Sequence, residues 1–279
     1  IKCYGYRTEY NLDELDYQVV DRIDKLLLDP YFQSSNIVIF QYGIYYPLMD
    51  LVALAPLHAK VMAIFHNVTP KEFIAPERHG LIDKSIAQIQ NMKLLDFVAC
   101  DSPINLQVLR AQGVKTPAAV LPLWFKKMYG TPSHKPSMHD RVVRIAFIGR
   151  FVRSKGPLDL LSALDFFLKM EKTLKHALKG LQLSILCNKD HSEDALLEVA
   201  KMRALEMERN YSDKLRIEFL FNVDDARKFH ELHQADIFAL PTYHEGFCVP
   251  ILEALSSGCR IVAYRNSNVP FVAGCEAHL

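Results

Sequence analysis

The sequence lacks the features that mark several large classes of protein. Its charges nearly cancel, with 33 basic and 32 acidic residues, so no broad electrostatic field attracts nucleic acid or anionic lipid. Its apolar runs are short and interrupted, and no secretory signal, low-complexity tract or internal repeat is recognisable. We therefore expect no nucleic-acid partner and only a local phosphate site, while peripheral contact with a membrane stays open.

Cysteine is also sparse, with six residues scattered along the chain. Cys100 and Cys187 lie in or beside apolar, strand-like runs, which suits buried reduced thiols better than a disulfide framework. We expect a reducing, cytoplasmic location.

Patterns of metal ligands are missing too. The chain contains no Asp-x-Asp motif that could hold a divalent ion on a diphosphate. His230 and His233 lie three apart on a predicted helix, but no third ligand accompanies them, so a surface helix face is the better interpretation. We expect no metal at the site and no structural zinc.

What the chain does have is an alternation of strand and helix patterns over 279 residues, half of them hydrophobic, which is enough for two cores. We predict a partial first domain over 1–125, a linker rich in proline, histidine and basic residues over 126–141, and a partial second domain over 142–279. The expected fold class is α/β, with two Rossmann-like, doubly wound domains facing across a cleft.

The individual elements follow from periodicity and turn signals. Predicted strands are Asn36–Tyr42, Ala59–Phe65, Asp96–Cys100, Ala118–Leu121, Val142–Ile148, Leu181–Cys187, Leu215–Phe221, Asp236–Leu240 and Arg260–Tyr264. Predicted helices are Pro47–Ala55, Leu81–Leu95, Pro103–Gln112, Pro157–Met170, Glu193–Arg209, Asp224–Gln234 and one that starts near Val249. The sheets should be parallel.

A basic turn follows the first strand of the second domain. Gly149 would let the chain turn sharply at the strand end, and Arg150 and Lys155 could reach a diphosphate as a fork and a point charge. The turn is neither a P-loop nor the three-glycine dinucleotide pattern. It predicts a phosphate site, against the alternative of two solvated basic residues.

Two carboxylates flank a predicted strand-to-helix junction further along. Glu245 lies in the loop and Glu253 in the first turn of the helix, where free backbone amides suit phosphate and the carboxylates suit sugar hydroxyls. The alternative is that Glu253 only complements the helix dipole and Glu245 is a solvated loop residue.

His66 ends a buried strand of the first domain, at the edge that would face the cleft. It is placed to touch a reacting sugar, or else it is a structural histidine.

The second half of the sequence resembles group 1 (family 4) retaining glycosyltransferases of the GT-B fold. The resemblance is carried by the basic turn, the run Ala235–Pro241, the two spaced glutamates and the strand Gly258–Ala263. The resemblance is closest over Val142 to Ala263 and looser over Val38 to Leu121, where Phe65 to Pro70 is similar to the acceptor-domain histidine segment.

The resemblance implies transfer of a sugar from a nucleotide diphosphate sugar to a glycan, lipid or small-molecule acceptor, with retention and no required metal. It assigns the diphosphate to Gly149, Arg150 and Lys155, and the ribose to Glu253. Glu245 and His66 would contact the donor sugar, and Asn222 and Val223 would lie near the base. The amides of Gly246, Phe247, Cys248 and Val249 would surround the sugar and phosphate. The catalytic group would be His66, Arg150, Lys155 and Glu245.

The sequence departs from the family pattern in several places. Cys248 stands where glycine is frequent, and Phe271 follows Pro270 where an acidic residue is usual. A glycine-rich loop before the first helix and the usual C-terminal helices are not recognisable, so we expect a fragment of a longer enzyme, incomplete at both ends. Two rival functions stay open: a GT-B epimerase or phosphorylase, and a nucleotide-sugar-binding or partner-subunit domain without turnover.

Overall fold

The computed structural model describes residues 1–6, 16–124, 142–171, 179–274 and 277–278. It divides into two compact units, the first comprising Ile1–Val68 with Pro76–Pro122 and the second Thr69–Ala75 with Leu123–Leu279. The predicted linker over 126–141 lies outside the described residues. The domain boundaries placed at 125 and 142 stay predictions.

The first unit is built on a parallel sheet. Its strands are β1 (Lys2–Gly5), β2 (Asp16–Val19), β3 (Ile37–Tyr42), β4 (Lys60–Phe65), β5 (Phe97–Cys100) and β6 (Ala118–Val120). Its α-helices are α1 (Ile23–Leu27), α2 (Pro30–Gln33), α3 (His79–Gln88) and α4 (Pro103–Ala111). The main sheet has the order β3-β4-β5-β6 and all its pairs are parallel, as predicted. The short parallel pair β1-β2 was not predicted.

Helix α4 shows how local sequence sets an element. The Ser102 hydroxyl accepts a hydrogen bond from the Asn105 amide at 3.1 Å, and Pro103 takes the first turn. Gly113 follows the end of the helix with φ of 74°, the left-handed conformation that glycine adopts without steric cost. Both ends of this helix were predicted from these residues.

Two predicted helices of the first unit are different in the structure. Pro47–Leu54 is a 3-10 helix, and the predicted helix from Leu81 to Leu95 is α3 followed by a 3-10 segment over Ile89–Leu94. At Ile89–Leu94, tightening to 3-10 geometry keeps carbonyl groups bonded where the α3 ladder ends. Hydrophobic periodicity does not distinguish either 3-10 segment from an α-helix.

The second unit is a six-stranded parallel sheet with helices. Its strands are β7 (Val142–Ile148), β8 (Gly180–Cys187), β9 (Leu215–Phe221), β10 (Ile237–Leu240), β11 (Arg260–Ala263) and β12 (Ala277–His278). Its helices are α5 (Pro157–Glu171), α6 (Asp194–Asn210), α7 (Asp225–Gln234), α8 (Val249–Ser256) and α9 (Val269–Ala273). Short 3-10 segments cover Lys71–Phe73, Arg153–Lys155 and Lys189–His191.

The strand order β12-β11-β10-β7-β8-β9 reverses at β7. Strands β8 and β9 are added on one side of β7, and β10 to β12 on the other. The carboxyl ends of β7 and β10 are therefore neighbours at a topological switch point, where open α/β sheets bind ligands.

The core of the second unit lies between its sheet and helices. Phe147, Phe151, Leu161, Leu183 and Phe238 are all fully buried there. Strands covered on both faces read as nearly continuous apolar runs, which is why β7 to β11 were predicted to within one or two residues. The two-residue strand β12 was not predicted.

Two further expectations concern the thiols and the membrane. In the part of the chain that the structure describes, no helix is long and apolar enough to cross a bilayer. Cys100 and Cys187 are buried and unbridged, as predicted, and burial raises the pKa of both thiols to about 11.

Candidate functional site

The second unit gathers most of the predicted site residues at one edge of its sheet. They follow the carboxyl ends of β7, β9 and β10, or lie in the first turns of α8. These residues are Gly149, Arg150, Lys155, Asn222, Val223, Glu245, Gly246, Phe247, Cys248, Val249 and Glu253.

The loops after β7 and β10 touch backbone to backbone. Gly156 has φ of 62°, and a Cβ there would overlap the carbonyl oxygen of Pro241. The Ser154 carbonyl accepts hydrogen bonds from the Thr242 hydroxyl at 3.0 Å and the Tyr243 amide at 2.7 Å. Glycine at 156 is therefore required both for its conformation and for the close approach that joins the two loops.

The central feature of this edge is an ion pair between the two loops. The Lys155 ammonium lies 2.6 Å from Glu245 Oε1, with side-chain exposures of 17% and 6%. Both residues were predicted, one for phosphate and one for sugar hydroxyls, but their direct contact was not. Because each charge neutralises the other, both groups stay ionised at the switch point although they are largely removed from water.

A turn after β11 supports the loop that carries Glu245. The Ser267 hydroxyl accepts a hydrogen bond from the Glu245 amide at 2.9 Å, and the Asn266 side-chain amide donates to the Thr242 carbonyl at 2.7 Å. The side-chain amide of Asn268, a fully buried residue, donates to the Gly246 carbonyl. We call Asn266, Ser267 and Asn268 the supporting turn. This turn was not predicted, although three small polar residues after a strand are a usable turn signal.

The start of α8 completes the edge. Cys248 is its N-cap with φ of 82°, a conformation that a residue with a Cβ rarely adopts, and its side chain is buried. Burial, together with the negative charge of Glu245, raises the pKa of the Cys248 thiol well above its usual range. The thiol is therefore neutral. Pro250 has no amide hydrogen and the Ile251 amide donates to the Cys248 carbonyl at 3.2 Å, so an anion at this helix start would meet the helix dipole and fewer amides than a full first turn offers.

Glu253 lies one turn into α8 and also has a cationic partner. The Lys228 ammonium on α7 lies 2.7 Å from Glu253 Oε1 and 2.9 Å from Asp225. Burial lowers the pKa of Lys228, but the hydrogen bonds to Glu253 and Asp225 outweigh it and the pKa is raised. Lys228 was missed, because nothing in its local sequence distinguishes it from a solvated helix lysine.

Other predicted residues stand apart from these two ion pairs. Arg150 is exposed on the loop after β7. Asn222 is exposed with φ of 49°, and its side-chain carbonyl accepts from the Lys189 amide at 2.8 Å. Val223 is half-buried beside it. Within the described residues, no three histidine, cysteine or acidic side chains are grouped as metal ligands.

His66 belongs to the first unit, directly after β4 as predicted. Its Nδ1 lies 2.6 Å from Asp101 Oδ2, and its Nε2 lies 2.6 Å from Gln41 Oε1. Neither Gln41 nor Asp101 was selected from the sequence, although each lies at or directly after the end of a strand next to β4.

A parallel α/β fold with a charged switch-point edge is typical of enzymes that bind nucleotides or phosphorylated ligands. Comparison with known families makes the class specific, because the model of the glycosyl transferases group 1 family matches residues 134–274. The chain belongs to that family.

Individual relatives agree with this class. D-inositol 3-phosphate glycosyltransferase of Corynebacterium diphtheriae is 30% identical over 137 residues, which make up 48% of this chain and 28% of that protein. A solved trehalose-6-phosphate synthase structure matches 89% of this chain and 62% of its own, with a TM-score of 0.67 and 13% identity. Sucrose-phosphate synthase from Thermosynechococcus elongatus matches 85% and 57%, with a TM-score of 0.61 and 16% identity.

These structural likenesses confirm the predicted GT-B fold class, and the family match confirms the predicted membership among group 1 glycosyltransferases. The chain spans about 62% of the trehalose-6-phosphate synthase chain and 28% of the curated relative.

Proposed function

We propose that this protein transfers a sugar from a nucleotide diphosphate sugar to an acceptor, with retention of the anomeric configuration and without a metal ion. The observation that carries the proposal is the buried Lys155–Glu245 pair at the switch point, in the loops that precede the N-terminus of α8. A cation beside a helix N-terminus is complementary to a diphosphate, and a buried carboxylate is complementary to sugar hydroxyls. Family membership supports the same reaction class.

In this mechanism Lys155 exchanges partners when the donor binds. Its ammonium turns from Glu245 to the diphosphate, and the freed carboxylate accepts hydrogen bonds from the donor sugar. As the bond between the anomeric carbon and the phosphate oxygen breaks, Lys155, the α8 amides and the exposed Arg150 stabilise the charge that develops on the diphosphate. The acceptor hydroxyl attacks the anomeric carbon from the same face through an oxocarbenium-like state and passes its proton to the departing phosphate oxygen.

The other donor-binding residues are assigned from their positions in the fold. We propose that Glu253 holds the ribose, with Lys228 fixing its orientation, and that Asn222 and Val223 lie near the base. The contact of His66 with the donor sugar stays a prediction. The near balance of charges and the unbridged thiols of the described residues support a cytoplasmic protein without a nucleic-acid partner, and peripheral membrane contact stays open.

The test is a screen of nucleotide sugars and acceptors with the purified full-length protein, with and without a chelator, read by mass spectrometry. Product NMR then gives the anomeric configuration. Transfer that persists with the chelator and gives a retained anomer supports the proposal, whereas an inverted anomer or loss of activity on chelation contradicts it.

A variant pair tests the role of the lysine. Lys155→Met should lower transfer by about 10²-fold or more, the usual cost of removing one preorganised charge-stabilising donor. Lys169→Met, which breaks an exposed pair with Asp165, is the matched control and should leave transfer unchanged. Because Lys155→Met leaves Glu245 buried without its partner, the double variant Lys155→Met/Glu245→Gln should recover stability but not activity.

The rival functions give different products. Donor binding by calorimetry without transfer by the full-length protein would favour a binding or partner-subunit role. A new product formed in the absence of any acceptor would favour an epimerase, and one formed with inorganic phosphate a phosphorylase.

A further inference from the structure

Three polar side chains meet at the carboxyl edge of the first unit's sheet. Gln41 lies near the end of β3, His66 follows β4 and Asp101 follows β5. The two ring nitrogens of His66 lie 2.6 Å from Asp101 Oδ2 and 2.6 Å from Gln41 Oε1. Only His66 has a role under the family resemblance, so the function of Asp101 is open.

Asp101 is buried in a way that requires a partner. Its side chain is 1% exposed, Oδ2 faces the His66 ring, and Oδ1 is buried without a hydrogen-bond partner among the described residues. A carboxylate removed from water is costly unless a donor satisfies it. The N–H at His66 Nδ1 is the donor in reach, and the N-terminus of α4, which begins beyond Ser102, favours the negative charge.

The backbone of the histidine is fixed by the same helix start. Asn67 holds a left-handed φ of 72°, its side-chain amide donates to Asn105 Oδ1 at 3.1 Å, and its own Oδ1 accepts from the Val68 amide at 2.7 Å. The Asn105 amide in turn bonds to the Ser102 hydroxyl. The backbone next to His66 and the backbone next to Asp101 are therefore connected by hydrogen bonds at the start of α4.

The three residues form a gradient from interior to surface. Asp101 is buried, the His66 side chain is 33% exposed, and Gln41 is exposed. Here the Nδ1 side faces the buried Asp101 and the Nε2 side faces the exposed Gln41, so Nε2 is the nitrogen that a ligand could reach by displacing that side chain.

We propose that Asp101 is a positioning residue for His66. Its carboxylate accepts a hydrogen bond from the N–H at Nδ1, and this fixes Nε2 as the nitrogen that meets a hydroxyl of the bound sugar, in place of or together with Gln41 Oε1. The ligand role rests on the proposed function, whereas the fixed tautomer does not.

The tautomer is measured by NMR of the ring nitrogens in the ¹⁵N-labelled full chain, with the His66 signals assigned by their loss in His66→Gln. The expected result is a ring whose Nδ1 carries a proton, including the form in which Nε2 also donates to Gln41 Oε1. A ring protonated mainly at Nε2 in the unmodified protein would overturn the proposal, and this measurement needs no Asp101 variant to fold.

Variants then separate positioning from general stability. Asp101→Asn should move the proton toward Nε2, because its amide group can donate to Nδ1, and should lower transfer by about tenfold or more. Lys60→Met breaks the exposed pair with Asp96 at the opposite ends of the same two strands and should leave the tautomer and the pH profile of transfer unchanged. An unaltered tautomer and unaltered transfer in Asp101→Asn would refute the role. If the unmodified protein shows no transfer but has Nδ1 protonated, the proposed function fails and the Asp101–His66 assignment stands.

Discussion

Replacing Gly156 with alanine tests the joining of the two loops that carry Lys155 and Glu245. The backbone at 156 is left-handed, with φ of 62°, and this costs an alanine about 1–2 kcal/mol. The new Cβ would also overlap the Pro241 carbonyl oxygen, which is backbone and cannot rotate away. Overpacking of this kind typically costs about 1–3 kcal/mol. The two contributions together give an expected loss of about 3 kcal/mol.

A matched control isolates the second contribution. Gly113 has a similar φ of 74°, but a Cβ there would meet no atom within 4 Å. Gly113→Ala should therefore cost only the conformational strain, about 1 kcal/mol. The difference between the two variants measures the close approach to Pro241.

Hydrogen–deuterium exchange read by mass spectrometry is the suitable assay, because it reports opening free energies locally and the two glycines lie in different units. The amide of Tyr243, bonded to the Ser154 carbonyl, should lose protection in Gly156→Ala. In Gly113→Ala the loss should be confined to the end of α4. Equal effects of the two substitutions, or an unchanged Tyr243 amide in Gly156→Ala, would refute the reasoning.

Three further results are expected. Lys228→Met should leave the Glu253 carboxylate without its cation, at a cost of about 1–2 kcal/mol in the free energy of unfolding. It should also weaken nucleotide binding measured by calorimetry, and binding as tight as in the unmodified chain would count against a ribose role for Glu253. Burial lowers the pKa of His244 from its ordinary 6.5, so the unfolded chain binds the proton more readily than the folded chain. The contribution of neutral His244 to the free energy of unfolding is complete above about pH 6.5 and is lost as the pH falls below it. Urea unfolding across that range should show a weaker dependence of this free energy on pH in His244→Gln. The neutral, buried Cys248 should be alkylated by iodoacetamide much more slowly than the partly exposed Cys3, as read by peptide mapping, and equal rates would contradict its burial.

The parts of the fold that were predictable are those set by local sequence. Strand β7 and helix α4 were located by apolar runs and by Ser102 and Gly113, whose effects act within a few residues. The pair β1-β2 was missed, because its four-residue strands carry too few residues for a period of two to show.

The site divides in the same way. Lys155, Glu245 and Glu253 were identified from their places after strands and at a helix start, but their partners come from distant parts of the chain. Lys155 and Glu245 are 90 residues apart in the sequence, and Lys228 and Glu253 are 25 residues apart. Such contacts depend on which strands are neighbours and in which register, and no local pattern encodes that.

The supporting turn has a consequence for how substrate choice could evolve in this chain. Asn266, Ser267 and Asn268 bond to the backbone of the loop that carries Glu245, and not to its carboxylate. Substitutions in this turn would shift the loop's path, and Glu245 with it, without replacing any reactive side chain. Altered sugar preference is therefore open to selection, or to engineering, through residues that do no chemistry themselves.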